Sequence, residues 1–117
     1  RSLPEANVLI NVSNDAWFGD SMAPHQHLQI SRMRAIESGR YFLRATNNGI
    51  SAIIDNRGKV ISRSPQFKKH TLNSDVKLFV GATPYSKYGN TFLLLFCTLF
   101  LFINLILNWK FNKKVII

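Results

Sequence analysis

The run Asn11-Val12-Ser13-Asn14-Asp15-Ala16-Trp17-Phe18-Gly19-Asp20 sits between two unlike signals. Before it stands the apolar run Val8-Leu9-Ile10, of strand length. After it, Pro24 suits the first position of a helix. Ser13, Asn14 and Asp15 are short polar side chains that satisfy backbone donors at a strand end or a helix start. Trp17 and Phe18 are large rings placed in a loop rather than in a periodic core stripe. Gly19 lets the chain turn through positive φ. Polar anchors holding an aromatic wall at a strand end describe one side of a pocket. Composition alone equally allows a capped loop whose Trp17 plugs the core.

Working outward, residues 8–12 predict a strand buried on both faces, and residues 13–23 a loop. A helix is predicted from Pro24 to Ser38, with Asp20 or Ser21 near its start and Gly39 as a left-handed cap. Leu28, Ile30, Met33, Ala35 and Ile36 spread over more than half its circumference, which predicts cover on more than one side. Glu37 lies near Ile30 and Met33, so its carboxylate needs a partner such as an arginine. His25 and His27 point to different faces of the helix. No acidic or cysteine ligand completes a metal set with them, so they read as ordinary helix-start residues.

Residues 41–45 predict the next strand, and Thr46-Asn47-Asn48-Gly49 a turn. Residues 50–54 and 59–62 predict a hairpin about Asp55-Asn56-Arg57-Gly58. Residues 64–73 are polar, with Lys68, Lys69 and His70 together, and read as an exposed loop or one lying near headgroups. A last strand is predicted over residues 75–80, and residues 81–85 lead out of the domain.

Residues 89–109 contain no charge and are dominated by Leu, Phe and Ile. At about 1.5 Å per residue these 21 positions reach about 30 Å, the thickness of a bilayer's hydrocarbon core. Tyr85, Tyr88 and Trp109 fit an interfacial belt, and Lys110, Lys113 and Lys114 fit a cytoplasmic flank. The single cysteine, Cys97, falls inside this span, without a base in reach, and reads as an apolar packing residue.

The chain has 117 residues and a net charge of +9. Residues 1–88 carry twelve Lys and Arg against six Asp and Glu. Such a surface suits anionic lipid headgroups, and no nucleic-acid module or aromatic–basic interleaving is present. The chain is long enough for one small domain, and because it begins with Arg1 it is expected to continue upstream.

Four elements in one order resemble the apolipoprotein N-acyltransferases, the membrane-bound branch of the nitrilase (carbon–nitrogen hydrolase) superfamily. They are the run from Asn11 to Gly19, Pro24-His25-Gln26-His27-Leu28-Gln29, Arg32-Met33-Arg34-Ala35-Ile36-Glu37, and Arg44-Ala45-Thr46-Asn47-Asn48-Gly49-Ile50-Ser51-Ala52. The resemblance covers about residue 8 to the carboxyl terminus and implies the C-terminal part of such an enzyme. The implied fold is α/β: residues 1–84 as the C-terminal part of a nitrilase-like αββα sandwich, and residues 85–117 as one transmembrane helix with a basic tail.

The implied activity moves an acyl chain from a phospholipid to the N-terminal amine of a diacylglyceryl-modified apolipoprotein. The intermediate would be a Cys thioester, with a Glu moving the proton and a Lys stabilising the oxyanion. In family order those three residues precede the Ser-Asn-Asp-x-Trp-Phe-Gly element. The resemblance therefore places no catalytic residue in this chain, and it implies no cofactor. Trp17 matches a Trp beside the catalytic Cys, Asn14, Asp15 and Phe18 would shape its loop, and Asn47 and Asn48 match the family's Thr-Asn-Asn-Gly turn, where a structural role and a pocket role are equally open. The implied location is the bacterial inner membrane, with residues 1–87 periplasmic. Two further readings are a soluble amidase of the same superfamily and a non-catalytic membrane-anchored remnant.

Overall fold

In the computed structural model, residues 3–115 are described, so Arg1–Ser2 and Ile116–Ile117 of the expected segments lie outside the described residues. One compact unit extends to Ser86 and a second begins at Lys87. The first is built on a four-stranded sheet in the order β1-β2-β3-β4. β1 spans Val8–Asn14 and β2 spans Tyr41–Asn47, and both run past the predicted ends at residues 12 and 45. They pair in parallel from Val8↔Tyr41 to Asn14↔Asn47, with the helix α1 (Ala23–Ser38) as the crossover between them. β3 (Ala52–Ile54) and β4 (Val60–Arg63) follow antiparallel.

α1 begins where the sequence places it. Pro24 occupies the first turn, and the Ser21 hydroxyl accepts the Ala23 N–H at 3.3 Å. Gly39, at φ 65°, ends the helix in the left-handed region. Its side-chain stripe is narrower than predicted. Pro24, Leu28, Ser31, Ala35 and Ser38 are buried, while Ile30, Met33 and Ile36 are about half exposed. The reason is that, among the described residues, α1 packs its buried stripe on β2 and β3, on one side. Leu28 and Ala35 join Ile50, Ala52 and Ile54 in the core, with Phe42 and Val60 packed against them. Arg34 pairs with Glu37 at 2.8 Å, as the half-buried carboxylate requires.

β1 is not buried on both faces. Ile10 and Val12 are 70% and 79% exposed, whereas Asn11 and Ser13 on the α1 side are half-buried. An edge strand covered by a helix on one face alternates in this way. Residues 75–80 form no strand. Phe79 donates one backbone hydrogen bond to Asn7 at 3.3 Å and stacks on Tyr41, but Leu78 and Val80 are exposed, and one bond is not a ladder. β3 starts at Ala52 because Ser51 is occupied in closing the preceding turn.

The way out of this unit is held by buried Arg40. Its guanidinium donates to the carbonyls of Ala6 at 2.7 Å, Pro4 at 3.3 Å and Gly81 at 2.5 Å. Thr83 and Ser86 both donate hydroxyl hydrogen bonds to the Glu37 carbonyl at the end of α1. Short α2 (Pro84–Tyr88) follows. In the second unit, α3 (Thr91–Val115) contains a 23-residue stretch, Thr91–Lys113, long and apolar enough to cross a membrane. Cys97 is exposed on it. The Lys113 ammonium lies 4.1 Å from the Trp109 ring centroid.

Candidate functional site

β1 and β2 end side by side, and the chain turns there into two loops. The carboxyl ends of parallel strands are where α/β sheets present functional groups. Asp15 follows β1 directly, and its N–H continues the ladder to the Asn47 carbonyl at 3.1 Å. A 3-10 turn, Ala16–Phe18, comes next, with the Phe18 N–H bonded to the Asp15 carbonyl at 3.1 Å. The Asn14 side-chain oxygen accepts from the Ala16 N–H at 3.1 Å and from the Asn47 amide at 3.4 Å. The two loops are thereby stitched together.

Asp15 is 1% exposed, and its carboxylate is the centre of the site. Arg44 donates to Oδ2 at 2.8 Å, and His27 Nδ1 lies 3.1 Å from Oδ1. An ionised carboxylate only accepts, so the His27 proton sits on Nδ1. Arg44 also donates to the Asn11 side chain at 2.9 Å, and the Ser13 hydroxyl lies 3.4 Å from Asp15 Oδ1. The Phe18 ring meets His27 edge to face at 5.2 Å. Gly49 packs so closely on Asp15 that a Cβ there would stand 2.8 Å from the aspartate's own Cβ. Burial is the largest influence on the Asp15 carboxyl and pushes its pKa up. The His27 hydrogen bond and the charge and hydrogen bond of Arg44 together outweigh burial and hold the pKa below the ordinary carboxylate value.

The predicted site residues are brought together at this end of the sheet. Asp15 is the buried anchor, Asn14 bridges to β2, and Phe18 packs on His27. Trp17 is 87% exposed, so among the described residues it is no core plug. Asn48 stands in the turn at φ 57°, a left-handed conformation that Asn tolerates. His27 is not an ordinary helix-start residue: it reaches back from the first turns of α1 to the strand end. Arg44 and Asn11 were also missed as site residues. Arg44 is the one charged residue between Tyr41 and Ile54, and an arginine inside a strand that flanks the core calls for a buried acceptor.

A lowered carboxyl pKa stabilises the fold above the unfolded value of about 3.9, and that stability is lost as pH falls through the lower folded value. Urea unfolding of the chain in maltoside micelles should therefore weaken between about pH 4 and the folded pKa. Asp15→Asn should be less stable at pH 7 by about 3–5 kcal/mol, because Arg44 is left uncompensated. Its stability profile should also be flatter in that acid window. An unchanged profile would show that Asp15 carries no such linkage.

Comparison with known proteins agrees with this architecture. Residues 1–85 match the carbon–nitrogen hydrolase family model. The chain is similar to an apolipoprotein N-acyltransferase of Nitrosomonas europaea, 58% identical over 76% of this chain and 18% of the relative. A second such protein, from Methylococcus capsulatus, is 53% identical over 75% of this chain and 18% of its own length. One from Haemophilus influenzae is 48% identical over 86% of this chain and 19% of its own length. The chain thus spans under a fifth of the length of these curated relatives. With the family model matched through the whole sheet, the chain belongs to the carbon–nitrogen hydrolase family.

Proposed function

We propose that this chain supplies a substrate-facing wall of an apolipoprotein N-acyltransferase. In that reaction a cysteine thiolate attacks the ester carbonyl of a phospholipid, and a lysophospholipid leaves. The resulting thioester is attacked by the N-terminal amine of an S-diacylglyceryl-cysteine lipoprotein, which carries the acyl chain away as an amide. The catalytic Glu, Lys and Cys belong to polypeptide that precedes this segment in family order, and the chain alone has no turnover. Cys97 has no role in the chemistry: it lies on an apolar helix without a neighbouring base.

The observation that carries this reading is Trp17. It is exposed, yet the turn that holds it is anchored ahead of Trp17 by the buried Asp15 node and the Asn14–Asn47 bridge, and after it by the contact of Phe18 with His27. A rigidly presented aromatic ring is suited to an acyl chain, which it holds by apolar contact while excluding water from the thioester. The apolar helix Thr91–Lys113 favours the membrane branch over a soluble amidase or a remnant, with α3 crossing the bacterial inner membrane. The sandwich of the family would cover the bare face of the sheet at Ile10 and Val12. Residues 1–84 would be its carboxyl-terminal portion, with residues 85–117 as the anchor.

Two outcomes test the proposal. In a chimera in which this chain replaces the matching 89 residues of the Nitrosomonas europaea relative, Trp17→Ala should reach normal membrane abundance and lose most lipoprotein N-acylation. An exposed side chain contributes only about 0.5 kcal/mol to stability, so loss of abundance together with activity would point to a folding role instead. Unimpaired acylation would refute the wall outright. For topology, cysteine placed at Arg63 should react with an impermeant reagent in intact spheroplasts, and cysteine placed at Lys113 should not. The reverse pattern would contradict a periplasmic location for residues 1–87.

A further inference from the structure

A cavity of about 350 Å³ opens between residues 46–49 and 67–70. Its floor is prebuilt. The Ser51 hydroxyl accepts the Thr46 N–H at 3.0 Å, and the Ser64 hydroxyl accepts the Ser51 N–H at 3.0 Å, which closes the Asn-Asn-Gly turn onto the start of β3. Its two walls contain Asn48 at φ 57° and Phe67 at φ 59°, and these are the positive-φ residues other than glycine among the described residues. A left-handed non-glycine residue costs about 1–3 kcal/mol, and such residues gather where a surface is shaped for a ligand.

The charge of this cavity is one-sided. Lys68, Lys69 and His70 line it, and no carboxylate does. Neither lysine is ion-paired among the described residues. Asp15, which lies against Gly49, is already engaged by Arg44 and His27. Asn48 adds a neutral amide donor, and half-exposed Phe67 adds one apolar surface. Two free ammonium groups over a rigid polar floor suit the oxygens of a phosphate.

We propose that this cavity binds the phosphodiester headgroup of a lipid, with Lys68 and Lys69 as the charged contacts and Asn48 as a neutral donor. The inference rests on the phospholipid-donor reading and specifies the headgroup subsite of that donor. The Asn14–Asn47 bond and the Gly49–Asp15 contact join the cavity floor to the loop that carries Trp17, so headgroup and acyl chain would occupy adjacent parts of one surface.

Headgroup binding is measured without turnover. The chain in maltoside micelles is titrated with glycerophosphoethanolamine, and separately with inorganic phosphate, while amide shifts are followed by NMR. The diester should shift residues 46–49 and 67–70 with saturation, and more tightly than inorganic phosphate does. Lys68→Gln combined with Lys69→Gln should weaken it at least tenfold while the β2 and β3 amides stay in place. Asn48→Gly, which relieves the positive φ and removes the amide, should weaken it by a smaller factor. Absence of shifts at these residues, or equal affinity in the double variant, would overturn the site. Inorganic phosphate binding as tightly as the diester would reassign it to a free anion. Loss of acylation in the Trp17→Ala chimera is read independently, so either idea can fail without the other.

Discussion

A carboxylate that is 1% exposed holds this end of the molecule together. Removing such a charge from water costs several kcal/mol, and an ion pair offsets that only with close geometry and further hydrogen bonds. Asp15 has both. Arg44 engages one oxygen from the neighbouring parallel strand, and His27 engages the other from the crossover helix. Three consecutive elements of the β1–α1–β2 unit therefore converge on one side chain. Removing any partner leaves buried charge or an empty donor, so the arrangement is specified as a whole.

The consequence is local rigidity where function is proposed. Trp17 begins two residues after Asp15, and the Asn-Asn-Gly turn touches Asp15 through Gly49, where only a residue without a Cβ fits. Both loops are thus referenced to the same buried atom group. Side chains that project from such loops, Trp17 on one and Asn48 on the other, are displayed at small entropic cost to binding. The exposed Ile10 and Val12 on the opposite face mark a sheet that α1 covers on one side only.

Much of this was legible in the residues. Pro24 and Gly39 delimit α1 because ring-fixed φ and a positive-φ cap act locally, without tertiary context. The Asp55 hairpin is equally local: its carboxylate caps the Arg57 and Lys59 N–H groups at 2.9 and 2.8 Å. What the sequence did not reveal is long-range. Asp15, His27 and Arg44 are 12 and 17 positions apart along the chain, and no periodicity relates a strand end, a helix face and a parallel strand. The expected strand at residues 75–80 failed for the complementary reason. Val76, Leu78 and Val80 alternate as a strand would, but among the described residues the segment makes one backbone bond, from Phe79 to Asn7 just ahead of β1. Apolarity in Ile30, Met33 and Ile36 likewise signalled an interface that α1 does not make with the described residues of this chain.

The central claim is that Asp15 and Arg44 act as one unit rather than as two independent stabilising residues. A double-mutant cycle of Asp15→Asn and Arg44→Met, followed by urea unfolding in maltoside micelles at pH 7, measures this directly. The account predicts that the double variant costs little more than either single change, so that the coupling is nearly as large as one single effect, about 3–5 kcal/mol. Additivity of the two single effects to within about 0.5 kcal/mol would contradict it.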